Sequence, residues 1–154
     1  MTEQKPYDSQ ADTLLHIKRV AELLGIVAAE MIHRGAIHDD SKLEDPEKTY
    51  FDMYTPLLKH STYESEEYKG FRTQLKVALD HHYANNSHHP EHYENGIDGM
   101  NLFDVIELFM DWKAAGERHA DGNIYKSIEI NKDRFKMSDQ LVNIFNNTAK
   151  FLNF

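Results

Sequence analysis

The chain has 154 residues, no cysteine and a formal net charge of −9 when its histidines are neutral. This length fits one domain with its own buried core, and a sequence without cysteine excludes disulfides, thiolate metal sites and cysteine nucleophiles. The negative charge also argues against a large nucleic-acid surface, because such surfaces need lysine and arginine to contact phosphates.

The first predicted element is a long amphipathic helix. Asp8 or Ser9 can cap it, and we expect it to run to about Arg34, because Gly35 suits a helix C-terminus. Its apolar residues recur at steps of three and four positions, at Leu14, Ile17, Ala21, Leu24, Ala28 and Met31. His16 lies beside this stripe, so it is predicted to point inward or to the border of the apolar face.

Two shorter helices are expected next. Residues 37–42 form a short second helix that carries the dipeptide His38-Asp39. Residues 45–47 supply an aspartate N-cap, a first-turn proline and a first-turn acid for a third helix, which is expected to end near Pro56.

The second half of the chain is predicted to continue as helices around one long loop. A fourth helix starts at Thr62 or Ser65 and reaches His82, and residues 84–100 then form an irregular stretch with turns at proline and glycine. Long ordered loops in small domains are often functional. Three more helices are predicted to begin at polar residues, which are Asn101, Asn123 and Ser138.

These patterns predict an all-α fold, since no run of alternating strand residues is present. We expect residues 1–154 to form one compact domain of about six or seven helices, with a motif-bearing core at about 9–117 and C-terminal helices at 123–153. The polar N-terminus and the lack of a long apolar run predict a cytoplasmic protein that does not contact a membrane.

Histidine is frequent in this chain. Of the ten histidines, five fall between positions 81 and 92: His81, His82, His88, His89 and His92. Such a tract indicates either metal binding or an exposed polar loop, and for the last three residues both interpretations stay open. His81 and His82 are adjacent on one helix, so their side chains diverge by about 100°. One of them can bind metal while the other contacts substrate or packs.

The dipeptide His38-Asp39 combines two types of metal ligand. The imidazole supplies a neutral nitrogen, and the carboxylate supplies a negative charge that can bridge two ions. Lys42 lies one helical turn beyond His38, close enough to contact an anion held at a metal. Asp111 lies among large apolar residues of the fifth helix, where a carboxylate is costly unless it is paired or binds a metal.

The order of these residues resembles that of a known family. It is similar to the H…HD…H…D order of the HD-domain superfamily of metal-dependent phosphohydrolases, with His16, His38-Asp39, His81-His82 and Asp111 at the matching places. Residues 38–42, HDDSK, look like that family's HD-x-x-K segment, and residues 110–115 resemble its last motif helix. The resemblance covers about residues 14–115 and implies an HD-domain-like helical fold. When the segment HHPEH at 88–92 is included, the pattern also looks like that of small bacterial and phage proteins related to the superfamily.

The resemblance implies a metal centre. The basal site would be formed by four residues, His16, His38, Asp39 and Asp111. Asp39 could bridge to a second ion, whose candidate ligands are His81 or His82 with His88 or His89. We count His82 among the metal ligands and keep the other three as a second-metal or substrate set. The ion would be divalent (Mn, Fe, Co, Ni, Zn or Mg), and one per chain is favoured over two.

The implied activity is hydrolysis of a nucleotide or another small phosphoester. Asp39 and Lys42 would be the catalytic residues, and the phosphate charge would be neutralised by Lys42, Arg118 and His119. The excess of histidines favours an alternative, the oxygen chemistry that some HD-like proteins perform with two irons. The acidic surface and the C-terminal helices favour another, a non-catalytic metal-binding interaction protein. The amphipathic terminal helices leave a homodimer open.

Overall fold

The computed structural model describes residues 7–60, 66–118 and 122–154. Within these ranges it contains six α-helices, short 3-10 helices and no strand, so the all-α prediction is confirmed. The chain divides into two compact units, one that ends at Ile37 and one that begins at His38. Across the same ranges, no helix combines the length and the apolar character needed to cross a membrane.

Helix α1, Gln10–Ile37, makes up most of the first unit and is longer than predicted. The Asp8 carboxylate accepts a hydrogen bond of 2.9 Å from the Gln10 backbone N–H, as expected near a helix start. The predicted end near Arg34 is wrong, because Gly35 remains helical. The left-handed residue that a helix end favours comes later, at Asp39, whose φ is 60°.

The predicted second helix is also wrong in its bounds and type. The chain forms a 3-10 helix at Asp40–Leu43, and Asp39 is its left-handed N-cap residue. His38 and Asp39 therefore lie in a turn, and not within a regular helix. Short polar side chains such as aspartate are among the few that tolerate this backbone conformation.

Helices α2, Glu47–His60, and α3, Glu66–Asn85, pack against each other. The predicted end of α2 near Pro56 is wrong, because the helix continues through the proline. A proline inside a helix removes one backbone donor and its ring crowds the carbonyl four residues earlier, but residues 56–60 remain helical here. The predicted start of α3 at Thr62 or Ser65 falls outside the described residues.

Helices α4, Leu102–Gly116, α5, Ile124–Phe135, and α6, Asp139–Leu152, begin where the sequence predicts. Each has a polar N-cap residue whose side chain accepts hydrogen bonds from backbone N–H groups of the first turn: Asn101, Asn123 and Ser138. Local capping chemistry therefore fixes the starts of all three helices.

The hydrophobic core of the second unit lies between α4, α5 and α6. Phe109 of α4 stacks on Phe145 of α6 with ring centroids 4.9 Å apart. The buried members of this core are Phe109, Ile124, Ile128, Met137, Val142, Phe145 and Ala149. The packed core holds α4 rigidly in place, and α4 carries several of the acidic residues discussed below.

The loop between α3 and α4 contains two further 3-10 helices, Pro90–His92 and Gly96–Gly99. Its anchor is Asp104, a fully buried carboxylate in the first turn of α4. Asp104 accepts hydrogen bonds of 2.7 Å from the hydroxyls of Ser87 and Tyr93 and one of 3.0 Å from the Asn101 backbone N–H. The predicted irregular stretch is thus an ordered loop, fixed to the start of α4.

Candidate metal centre

Asp39 lies at the middle of a group of histidines from different elements. It is held in the turn after α1, whereas His82 lies on α3, and His88 and His89 lie in the loop that follows α3. One ligand atom from each of these four residues lies within 4.8 Å of the others. The described residues therefore include a histidine and aspartate group close enough to hold a metal ion.

The distances around Oδ1 of Asp39 fit the spacing of atoms that share one ion. This oxygen lies 3.3 Å from Nε2 of His82 and 3.4 Å from Nε2 of His88. Nε2 of His82 lies 2.8 Å from Nε2 of His89. Ligand atoms about 2.1 Å from an ion are about 3.0–3.4 Å apart when they occupy neighbouring positions. These three pairs of atoms thus already have nearly the spacing that coordination requires.

A second group adjoins the first and shares His88. It consists of His38, His88 and Asp111, again with ligand atoms within 4.8 Å of one another. Nε2 of His38 lies 3.7 Å from Oδ1 of Asp111 and 3.5 Å from Oδ2 of Asp39. The two oxygens of Asp39 therefore face different groups, Oδ1 the first and Oδ2 the second.

Two buried atoms of the first group make no hydrogen bond within the part of the chain that the structure describes. They are Oδ1 of Asp39 and Nε2 of His88. A buried polar atom without a partner costs about 1–3 kcal/mol. These two atoms lie only 3.4 Å from each other, so either an Nε2–H of His88 or a shared cation would satisfy both, and the pair is compatible with a bound metal.

Glutamates hold the outer nitrogens of three histidines. Glu47, which is fully buried, lies 2.9 Å from Nδ1 of His82 through its Oε2 atom. Glu107 lies 2.8 Å from Nδ1 of His38 and 3.1 Å from Nδ1 of His88. A histidine that donates its Nδ1–H to a carboxylate presents the lone pair of Nε2 to a metal, as is usual at protein metal sites.

Burial and nearby charges set the protonation of these groups. The carboxylates of Asp111 and Glu107 raise the pKa of His38 to about 10. Burial lowers the pKa of His89 to about 3, and burial also lowers the pKa of His82. Both of these imidazoles are therefore neutral near pH 7, which is the form that binds metals.

Asp39 stays ionised although it is partly buried. Burial alone would raise the pKa of its carboxyl, but His88 and Lys42 beside it hold that pKa well below the usual range. Nζ of Lys42 lies 2.6 Å from Oδ2 of Asp39. The side chain is therefore a carboxylate at neutral pH, which is the state that a cation requires.

Six of the predicted site residues come together in these two groups: His38, Asp39, His82, His88, His89 and Asp111. Lys42 contacts Asp39, as described above. His81 belongs to neither group among the described residues, and its Nδ1 lies 2.7 Å from Oε1 of Glu47. His92 is exposed, and its Nδ1 lies 2.8 Å from the Tyr83 carbonyl oxygen.

Three predicted residues lie elsewhere. His16 is on α1, in the unit that ends at Ile37, so its role as a ligand stays a prediction. Arg118 is an exposed residue just beyond α4, and it is in neither of the two groups found among the described residues. His119 falls outside the described residues. Phosphate binding by Arg118 and His119 also stays a prediction.

Sequence reasoning missed the roles of Glu47 and Glu107. The sequence marks Glu47 only as a first-turn acid of the helix that follows Pro46, and its contact with His82 spans 35 positions. A weak signal existed for Glu107, because it precedes Asp111 by four residues and so shares a helix face with that predicted ligand. No comparable local pattern marks Glu47.

Comparison with known proteins adds one match. Residues 5–151 match the model of a family described as a family of unknown function, DUF5662. No curated protein and no solved structure matches the chain. The match assigns neither an activity nor a ligand, so any functional proposal has to rest on the geometry of the site.

Proposed function

Since the chain belongs to the DUF5662 family, whose function is unknown, we propose its activity from the site itself: it is a divalent-metal-dependent hydrolase of a nucleotide or another small phosphoester. The observation that carries this proposal is the convergence of His82, His88 and His89 with Asp39, whose Oδ1 lies 3.3–3.4 Å from the first two histidines. The order of histidines and aspartates along the chain, which resembles that of the HD-domain superfamily, supports the choice of reaction.

The residues present would hold the ion by nitrogen and oxygen donors alone. His82, His88 and His89 would bind it through Nε2, and Asp39 would supply the negative charge. Asp111 and His38 would bind a second ion or hold a water beside the first. When bound, a divalent ion supplies a Lewis acid for a phosphoryl oxygen and a source of hydroxide near neutral pH.

Lys42 is the cation placed to act on a substrate anion. Its ammonium now contacts Oδ2 of Asp39 at 2.6 Å and is partly exposed. An ion bound to Asp39 would neutralise the carboxylate and weaken its pairing with Lys42. Lys42 could then turn to a phosphate oxygen. Because the chain has a net charge of −9, such local cations are needed to attract an anionic substrate.

The proposal is tested by assaying hydrolysis of a nucleotide and phosphoester panel with Mn, Co, Mg, Fe or Ni. Asp39→Asn is the informative variant, because asparagine also tolerates a left-handed backbone but lacks the charge. Asp40→Asn is the matched control, since Asp40 is exposed and adjacent. We expect metal-stimulated turnover in the wild type and the control, and none in Asp39→Asn. No turnover on any phosphate ester with any of these metals would contradict the proposal.

A second candidate is oxygen chemistry at two irons. The observation that favours it is the pair of adjacent groups that share His88 and face the two oxygens of Asp39. Metal analysis of untagged protein separates the candidates. Two irons per chain would favour the second, and a single Mn or Mg would favour the first.

A further inference from the structure

We propose that Glu107 is a positioning residue that fixes both His38 and His88 with Nε2 facing Asp39, so that one carboxylate oxygen sets the ligand geometry of both groups. The inference rests on the proposed metal binding and deepens it. It assigns a role to a residue that belongs to neither group of candidate ligands among the described residues.

The geometry centres on a single atom, Oε1 of Glu107. This oxygen lies 2.8 Å from Nδ1 of His38 and 3.1 Å from Nδ1 of His88. The two imidazole rings are neighbours, with centroids 4.5 Å apart and planes tilted by 40°. Both rings can therefore donate an Nδ1–H to the same carboxylate oxygen, which has lone pairs for two donors.

Donation from Nδ1 decides what the opposite edge of each ring presents. With Nδ1–H bound to Glu107, each neutral imidazole has its lone pair on Nε2. Nε2 of His88 then faces Oδ1 of Asp39 at 3.4 Å, and Nε2 of His38 faces Oδ2 of Asp39 at 3.5 Å. Glu107 thus directs one histidine to each oxygen of Asp39.

The position of Glu107 on α4 explains how one helix can contact both ring nitrogens of His38. Glu107 and Asp111 are four residues apart and lie on the same face of α4. Glu107 contacts Nδ1 of His38, and Asp111 lies 3.7 Å from its Nε2. The ring is therefore held between two carboxylates of one rigid helix.

Glu47 provides a matched comparison within the same centre. It contacts Nδ1 of His82, which belongs only to the first group, and Nδ1 of His81, which belongs to neither group in the described part of the chain. Glu47 and Glu107 should therefore differ in which histidines they orient, although both are glutamates that accept imidazole N–H groups.

The test uses Zn²⁺, which is diamagnetic, and long-range ¹H–¹⁵N spectra of the histidine rings. In the Zn²⁺-loaded wild type we expect His38 and His88 to carry the proton on Nδ1. In Glu107→Gln the neutral amide oxygen is a weaker acceptor than the carboxylate, so we expect the Nδ1–H signals of His38 and His88 to shift while that of His82 stays unchanged. Glu47→Gln should give the reverse. Glu117→Gln, just beyond the end of α4, should change neither. The affinity for Zn²⁺ should fall about 10–100-fold in Glu107→Gln, the range found for outer partners of metal-bound histidines.

The outcomes separate this inference from the proposed function. A wild type that binds neither Zn²⁺ nor any metal of the assay panel overturns the metal function and this inference with it. A wild type that binds Zn²⁺ through Nδ1 of His38 or His88 overturns only the role of Glu107, and this measurement needs no variant to fold. Unchanged ring signals and affinity in folded Glu107→Gln would overturn that role as well.

Discussion

The hydroxyl of Ser87 donates a hydrogen bond of 2.7 Å to Oδ1 of Asp104. Ser87 directly precedes His88, whereas Asp104 is fully buried at the start of α4. The contact fixes the backbone next to a candidate ligand to the helix that carries Glu107 and Asp111. The stability of the loop and the geometry of the metal centre therefore depend on the same carboxylate.

Replacement of Asp104 by alanine should weaken both stability and metal binding. The substitution removes the acceptor for Ser87, Tyr93 and the Asn101 N–H, so we expect a loss of about 3 kcal/mol in the free energy of unfolding. Urea denaturation and a Mn²⁺ titration measure the two effects. Asp98→Ala, at an exposed loop position, is the control and should change stability by less than roughly 0.5 kcal/mol. Equal behaviour of the two variants would refute this anchoring role.

Two phenylalanines of α6 test the core. Phe145 is 3% exposed and stacks on Phe109, whereas Phe151 on the same helix is 83% exposed. Phe145→Ala should lower the free energy of unfolding by about 3–5 kcal/mol, because it leaves a cavity in a packed core. Phe151→Ala should leave it nearly unchanged. Chemical denaturation of both variants gives the comparison, and similar losses would show that the core lies elsewhere.

A left-handed residue outside the centre offers a stabilising change. Lys136, the C-cap residue of α5, has φ of 52° and is exposed. Lys136→Gly should raise the free energy of unfolding by roughly 0.5–1 kcal/mol, because glycine adopts this backbone without steric cost. Asn153→Gly, at a φ of 55°, should gain less, since asparagine already tolerates the conformation. Thermal melts rank the two, and a destabilised Lys136→Gly would contradict the backbone argument.

An ion that binds in the second group, at Nε2 of His38, should release a proton from that ring. Its pKa is raised to about 10 by Asp111 and Glu107, so at pH 8 the metal-free ring is an imidazolium. An ion that takes Nε2 must displace the proton, so the apparent affinity should rise with pH up to about pH 10 and then level off. Calorimetry of Mn²⁺ binding in buffers of different ionisation enthalpy counts the protons. A heat that does not depend on the buffer would exclude His38 as a ligand.

The elements that sequence predicted well are those decided by local chemistry. Asn101, Asn123 and Ser138 each cap a helix through atoms two or three residues away, so the polar residue and the following pattern suffice to place α4, α5 and α6. The errors were local too. Gly35 and Pro56 are typical helix breakers, but both lie inside helices, in α1 and α2 respectively.

The candidate site was predictable in part, because its ligand types stand out in the sequence. His38, Asp39, His82 and Asp111 could be named from spacing and from a family resemblance. The positions of His88 and His89 in the fold could not be predicted. A loop has no regular period, and the path of this one depends on the buried hydrogen bonds of Asp104. The roles of Glu47 and Glu107 depend on contacts 35 and 69 positions away, and of the two only Glu107 had a weak local signal, its spacing of four residues from Asp111.

The left-handed backbone at Asp39 has a genetic consequence. A single base change converts an aspartate codon into one for asparagine or glycine, the other two residues that accept such a φ without much strain. Both variants should accumulate as folded protein and yet lack the central carboxylate. Spontaneous mutations at this codon should thus yield folded protein that no longer binds the proposed ion.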